Sequence, residues 1–198
     1  MPPVELMRET ALYTPVAWSP DRRYLLYRKN VPGSGLDILA FPVDEPKKAV
    51  PLLTGPRNEG PNAVFSPDGR WIAFVSDRSG SFETYIARFR GDLSPPAIGG
   101  QPVQITTNGG AILSRGWRRD GKEILVASGG GVMAIPIDAS GESVSAGKPV
   151  PLFRPPASAS AVIATANADR FLVVENPYAD GQTIHVLTNW RARLAQIK

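Results

Sequence analysis

One short pattern returns four times along this chain, and its spacing limits the fold more than any other feature. Trp18-Ser19-Pro20-Asp21 leads into the apolar run Arg23-Tyr24-Leu25-Leu26-Tyr27, and Phe65-Ser66-Pro67-Asp68-Gly69 leads into Trp71-Ile72-Ala73-Phe74-Val75. Trp117-Arg118-Arg119-Asp120-Gly121 leads into Ile124-Leu125-Val126, and a weaker copy, Thr165-Ala166-Asn167-Ala168, leads into Phe171-Leu172-Val173-Val174. The aligned positions 21, 68, 120 and 167 lie 47, 52 and 47 residues apart. A period close to 50 residues is the mark of a repeat architecture in which each copy is one supersecondary unit.

Two further segments keep the same beat. Val4, Val50, Val103 and Val150 each open a short apolar stretch 17, 18, 17 and 17 residues before the Asp or Asn position. Downstream of each apolar run comes another: Leu36–Phe41, Thr84–Phe89, Val132–Ile137 and Thr183–Leu187. All are short, rich in β-branched and aromatic residues, and bounded by Gly, Pro, Asn or Asp, which is how strands read. Each unit therefore holds four strands: a before the Asp turn, b after it, then c, then d in the valine segment. One four-stranded antiparallel sheet per period of this length is a propeller blade. The expected fold is all-β, a β-propeller-type array of four four-stranded antiparallel blades in a single domain over 1–198. The blades fall at roughly 15–54, 62–107, 113–153 and 161–190. Residues 3–7 are the candidate closing strand beside the last blade, which would remove two open sheet edges. The alternative is part of a larger propeller, its end blades covered by further blades or by a second copy of the chain.

Composition agrees and removes several kinds of chemistry. The 19 Gly and 20 Pro are spread through 198 residues, as many short elements joined by turns require. There is no Cys and a single His, His185, so disulfides and a Cys/His zinc site are excluded within one chain. Serine–histidine catalysis would have to use His185, which falls inside strand c of the last unit, and no Gly-x-Ser-x-Gly elbow or Asp-rich calcium loop occurs. Gly129-Gly130-Gly131 joins two strands without the following helix, Lys or Ser/Thr of a phosphate loop, so it reads as a hairpin. No cofactor and no metal is expected. The net charge of +4 is scattered, with Arg115, Arg118 and Arg119 the nearest thing to a basic cluster, which argues against nucleic acid. No apolar run approaches the ~20 residues of a membrane helix, and the first residues show no basic and apolar export signal.

The repeated residues are assigned to structure. Pro sets φ, Asp21, Asp68 and Asp120 bond back to nearby amides, and Gly accepts positive φ. Asn167 can substitute because Asn also bonds locally. Arg22, standing where the second and third copies have Gly, implies a slightly different first turn. Trp18, Phe65 and Trp117 are expected to pack between neighbouring blades. Function belongs on loops that vary while the scaffold repeats. In propeller geometry the d–a and b–c loops share one face, and the variable ones are Gly55–Asn62, Thr107–Ala111, Arg154–Ala161 and the hairpins at Asp77 and Asn176. The candidate contact residues are Arg57, Asn58, Glu59, Asp77, Arg78 and Asn108.

The stretch Ser66–Gly80, with Pro102-Val103-Gln104-Ile105-Thr106 as its closing strand, resembles the WD40-like (PD40, TolB-type) propeller repeat. Trp117–Glu123, Phe171-Leu172-Val173 and Asn189-Trp190 with Leu194 are similar to the C-terminal extracytoplasmic propeller portion of bacterial serine/threonine kinases. Such families usually carry more blades than the four units found here. The resemblance implies a periplasmic or extracytoplasmic module that binds a protein, peptide or cell-envelope ligand without chemistry, with self-association through open end blades as a further expectation. It also implies an alternative, the propeller portion of a larger enzyme such as a kinase sensor or a prolyl oligopeptidase-like gate. A propeller lyase or lactonase would need His, Asp and Glu around a metal, and one His argues against it.

Overall fold

The computed structural model describes residues 5, 13–175 and 184–188. Over these the chain forms strands and no helix. The first sheet runs β1 (Tyr13–Trp18), β2 (Tyr24–Val31), β3 (Gly35–Pro42), β4 (Val50–Leu53), and the second β5 (Glu59–Phe65), β6 (Trp71–Ser76), β7 (Glu83–Phe89), β8 (Ile98–Gln104). The third contains β9 (Ala111–Trp117), β10 (Glu123–Ser128) and β11 (Gly131–Asp138), with β12 (Ser145–Ala146) and β13 (Val150–Phe153) both paired to β11. The fourth group is β14 (Ala159–Ala164), β15 (Arg170–Glu175) and β16 (Ile184–Thr188). Neighbouring strands within each group are antiparallel, and one parallel bridge, Ile163 with Ser114, joins β14 to β9. Strands a to d of the first three repeats thus appear in order. The expected closing strand at 3–7 (Glu5 apart) and the hairpin at Asn176–Gly181 lie outside the described residues.

The sheets stack face to face, which explains the apolar runs. In β6 every residue is buried, because the strand has a packed sheet on both sides. Ile72 and Phe74, with Phe65, Tyr85 and Phe89 of their own sheet, face the first sheet and its Leu26 and Ile38. Trp71, Ala73 and Val75 point the other way, to Ile112, Trp117, Ile124 and Ile135 of the third sheet. Leu113, Leu125 and Val132 on the far side of the third sheet then meet Ala164, Ala168 and Phe171. Each large apolar side chain buried in this way stabilises the stack by about 2–3 kcal/mol. The a-strands lie side by side, β1 against β5, β5 against β9 and β9 against β14.

Two expectations are corrected here. Phe65 and Trp117 pack between sheets at 8% and 6% exposure, but Trp18 is 52% exposed. All three pair with the second residue of the b-strand: Trp18 with Leu25, Phe65 with Ile72, Trp117 with Ile124. Their shared face looks toward the preceding sheet, and the first sheet has none among the described residues. The second correction concerns Arg22. It does not change the turn: its φ of 62° matches Gly69 at 73°, Gly121 at 74° and Ala168 at 54°. The reason is the hydrogen-bonding frame. Arg22, Gly69, Gly121 and Ala168 each donate their N–H three residues back, to Ser19, Ser66, Arg118 and Thr165. That closure demands left-handed backbone even where no glycine stands.

Candidate functional site

The d–a loops and b–c hairpins meet on one face, and side chains tie them together. At the junction of the first two sheets, the Asn58 backbone N–H donates to Asp77 Oδ1 (2.9 Å) and Asn58 Nδ2 donates to Asp77 Oδ2 (2.8 Å). Asn58 Oδ1 accepts from Leu36 N at 3.2 Å, so one amide joins three segments. Beside it Arg78 Nη2 donates to Glu59 Oε2 at 2.7 Å, and the Glu59 side chain is only 3% exposed. The Arg78 guanidinium carbon lies 5.1 Å from the ring centroids of both Phe74 and Tyr85. Burial pushes the Glu59 carboxyl up, against the pull of Arg78. Four of the six candidate contact residues, Asn58, Glu59, Asp77 and Arg78, are thus gathered in one hydrogen-bonded cluster. Arg57 is exposed beside it.

Asn108 belongs to a separate groove of about 580 Å3. Its walls are the loop 108–111 with Phe82, the hairpin at Gly129–Gly131, and the loop Pro155–Ala157 leading into β14. Asn108 and Phe82 are exposed, Phe82 at 47%, and most of the remaining wall is Gly, Ala and Pro. Small side chains and an exposed aromatic ring are what this surface presents. Two residues that sequence reasoning missed, the buried Glu83 and the half-buried Ser128, shape its edge. Glu83 accepts from Thr106 Oγ1 (2.5 Å), Gly109 N (2.8 Å) and Ser81 Oγ (3.1 Å). Ser128 Oγ donates to Gly109 O at 2.5 Å from the next sheet. The signal available was a carboxylate at the start of an otherwise apolar c-strand in both of the first two units, Asp37 and Glu83.

The opposite face carries the a–b turns, and there the repeated aspartates act locally. Ser19 Oγ donates to Asp21 Oδ1 (2.6 Å), which also accepts from Arg23 N (3.1 Å), while Arg23 Nε donates to Asp21 Oδ2 (2.6 Å). The Ser19 hydroxyl, with these Arg23 groups, holds the Asp21 carboxyl down at about 2. Asp68 repeats the arrangement with Ser66 and Arg70. At Asp120 the Ser is replaced by Arg118, whose Nη2 donates to Oδ2, and Lys122 N donates to Oδ1 (3.1 Å). Burial works to raise the Asp68 and Asp120 carboxyls, but these bonds outweigh it and both end below the usual range. In the last copy the Thr165 hydroxyl turns to Asp169 (2.5 Å) rather than to Asn167. The turn arginines also strap sheets: Arg23 Nη2 reaches Gly91 O (3.4 Å), and Arg70 Nη2 reaches Ala139 O (2.7 Å). His185 lies on β16. Among the described residues no three His, Asp or Glu side chains gather as a metal site would need.

No protein-family model matches the chain, and no curated protein matches it. Solved structures do. TolB from Acinetobacter baumannii aligns over 92% of this chain and 42% of its own length, with TM-score 0.62 and 18% identity. An oligogalacturonate lyase in complex with manganese aligns over 94% of this chain and 54% of its own, with TM-score 0.58 and 10% identity. Prolyl oligopeptidase B from Galerina marginata aligns over 88% of this chain and 25% of its own, with TM-score 0.56 and 14% identity. The chain therefore spans about half or less of the length of each. Repeated antiparallel sheets stacked face to face, together with these likenesses, establish an all-β propeller-type fold of the TolB kind.

Proposed function

We propose that this chain is a non-catalytic binding module that takes an extended segment of a protein or peptide on its d–a and b–c loop face. The observation that carries the reading is the groove beside Asn108. It is built from loops of consecutive repeats, is lined mostly by Gly, Ala and Pro, and keeps Phe82 exposed at its rim. An exposed aromatic beside a groove of small side chains suits an extended partner segment. The cluster of Asn58, Glu59, Asp77 and Arg78 on the same face would set the loop positions and supply a second contact area with Arg57. Likeness to TolB supports a binding role of this kind. The test is selection of peptides from a random library on the purified chain, followed by affinity measurement on Phe82→Ser and Asn108→Ala. Loss of binding in these variants supports the groove. Peptides that bind both variants unchanged place the contact elsewhere.

The second reading is the propeller portion of a larger enzyme, and the likeness to the peptidase and the lyase favours it. Turnover of a peptide or oligogalacturonate substrate by the chain itself would replace the binding-module reading. Exposure of Trp18 on an end sheet also favours self-association there, which a light-scattering mass of Trp18→Ser against the native chain checks.

A further inference from the structure

A second cleft, of about 990 Å3, opens on the opposite face, lined by the first two a–b turns, the end of β7, β8 and residues 142–144. At its wall stands Arg88. On β7 it pairs with Trp71 of β6 on one side and Gly99 of β8 on the other, so one flank is an indole and the other has no side chain. The guanidinium carbon lies 5.2 Å from the Trp71 ring centroid. Two donors here are unanswered: Arg88 Nη1 and Trp71 Nε1 are buried without a hydrogen-bond partner among the described residues. At the other edge of the guanidinium, Nη2 forms an ion pair with Glu142, whose Oε2 lies 2.9 Å away. Glu142 is 89% exposed on its side chain, and an exposed ion pair of this kind contributes about 1 kcal/mol or less. Arg70 holds the neighbouring backbone, donating to Ala139 O and Gly141 O, so the Glu142 side chain can swing away while the loop stays anchored.

The charges select the ligand. Asp21 and Asp68 are answered by Arg23 and Arg70 within their own turns. Arg88 and Arg90 remain, with Glu142 as the only other acid lining the cleft. A guanidinium with one orphan nitrogen and one weakly held nitrogen is suited to a forked oxyanion, which accepts two parallel bonds where Glu142 accepts one. A carboxylate is the group that already stands against this guanidinium, from Glu142. Ile86, Phe89 and Val144 add apolar wall. We infer that this cleft is a second binding site, for a carboxylate side chain of an acidic peptide, with Arg88 and Arg90 as its cationic wall and Glu142 as a built-in competitor. The site is distinct from the groove beside Asn108 and stands or falls independently of it.

The experiment titrates the full chain with hexaglutamate while following the indole N–H resonance of Trp71, assigned by its loss in Trp71→Phe. Hexaglutamate is expected to move that resonance in the native protein. Glu142→Gln removes the competitor and is expected to tighten binding by about fivefold or more, while Glu45→Gln, which removes the same charge elsewhere, leaves affinity unchanged. Arg88→Gln is expected to abolish the response. An unmoved Trp71 resonance in both native and Glu142→Gln protein overturns the site. So does equal binding of hexaglutamine, an equal gain from Glu45→Gln, or inorganic phosphate binding as tightly as hexaglutamate at the same ionic strength.

Discussion

Asn58 grips both oxygens of Asp77, one through its backbone N–H and one through its side-chain amide, at 2.9 and 2.8 Å. Nineteen residues separate the two in sequence, and the pair joins a d–a loop to a b–c hairpin. Asp77→Ala leaves two part-buried donors without their acceptors and is expected to destabilise by about 1–3 kcal/mol in urea unfolding. Asp77→Asn recovers only part, since its own amide nitrogen would face that of Asn58. Equal stability of all three proteins would show that the loop is held by something else.

Removing Arg78 strands Glu59. Arg78→Met is expected to cost about 3–5 kcal/mol at neutral pH, because a buried carboxylate loses its cation. The sign with pH follows from burial, which already pushes Glu59 up. A group whose folded value is raised contributes stability below its unfolded value of about 4.3 and loses it as pH rises through the folded value. The stability deficit of Arg78→Met relative to the native chain should therefore shrink on going from pH 7 to pH 5. A deficit constant across that range argues against the ion pair as its source.

Asp21 works in the opposite direction. Ser19, then Arg23, lower its carboxyl to about 2, so its stabilisation is present above the unfolded value of about 4 and is lost as pH falls toward 2. The side chain is 46% exposed, and after allowance for solvent screening the contribution is about 1 kcal/mol or less. Asp21→Asn should show a shallower loss of stability between pH 4 and pH 2 than the native chain does.

Arg22 pays a backbone cost that glycine would not. At φ 62° a side-chain-bearing residue is disfavoured, and Arg22→Gly is expected to raise stability by about 0.5–1 kcal/mol, seen as a higher Tm. Gly69→Ala, in the matching turn, should lower it by a comparable amount. A fall in Tm for Arg22→Gly would mean that the arginine side chain makes a contribution larger than the strain.

Trp18, Phe65 and Trp117 share a place in the repeat but not a fate. Phe65→Ala and Trp117→Ala are expected to cost about 3–5 kcal/mol, whereas Trp18→Ala, removing a ring that is half in solvent, should cost about 1 kcal/mol or less as a monomer.

The residues themselves determined the beat of the fold. Short-range chemistry fixed the strands, the Asp-centred turns and their order, because a hairpin depends on neighbours a few residues away and the sequence prints those neighbours. A repeat pattern also carries the stacking, since a run such as Trp71–Ser76, apolar on both faces, demands a sheet on each side. What repetition could not reveal is where the copies stop being equivalent. Trp18 reads like Phe65 until the stack is built and, among the described residues, its face has no sheet before it. Arg22 reads like a departure until the hydrogen bond from its N–H to Ser19 imposes the glycine conformation. Asn58, Glu59, Asp77 and Arg78 were picked out as variable loop residues, but their mutual grip depends on two loops brought together only by the sheets between them. Arg88 and Glu142 carried no local signal, since the third sheet must pack against the second before Glu142 can meet Arg88. Local bonding energies are written along the chain; the ones that shape a surface arise between segments whose distance in sequence conceals their contact.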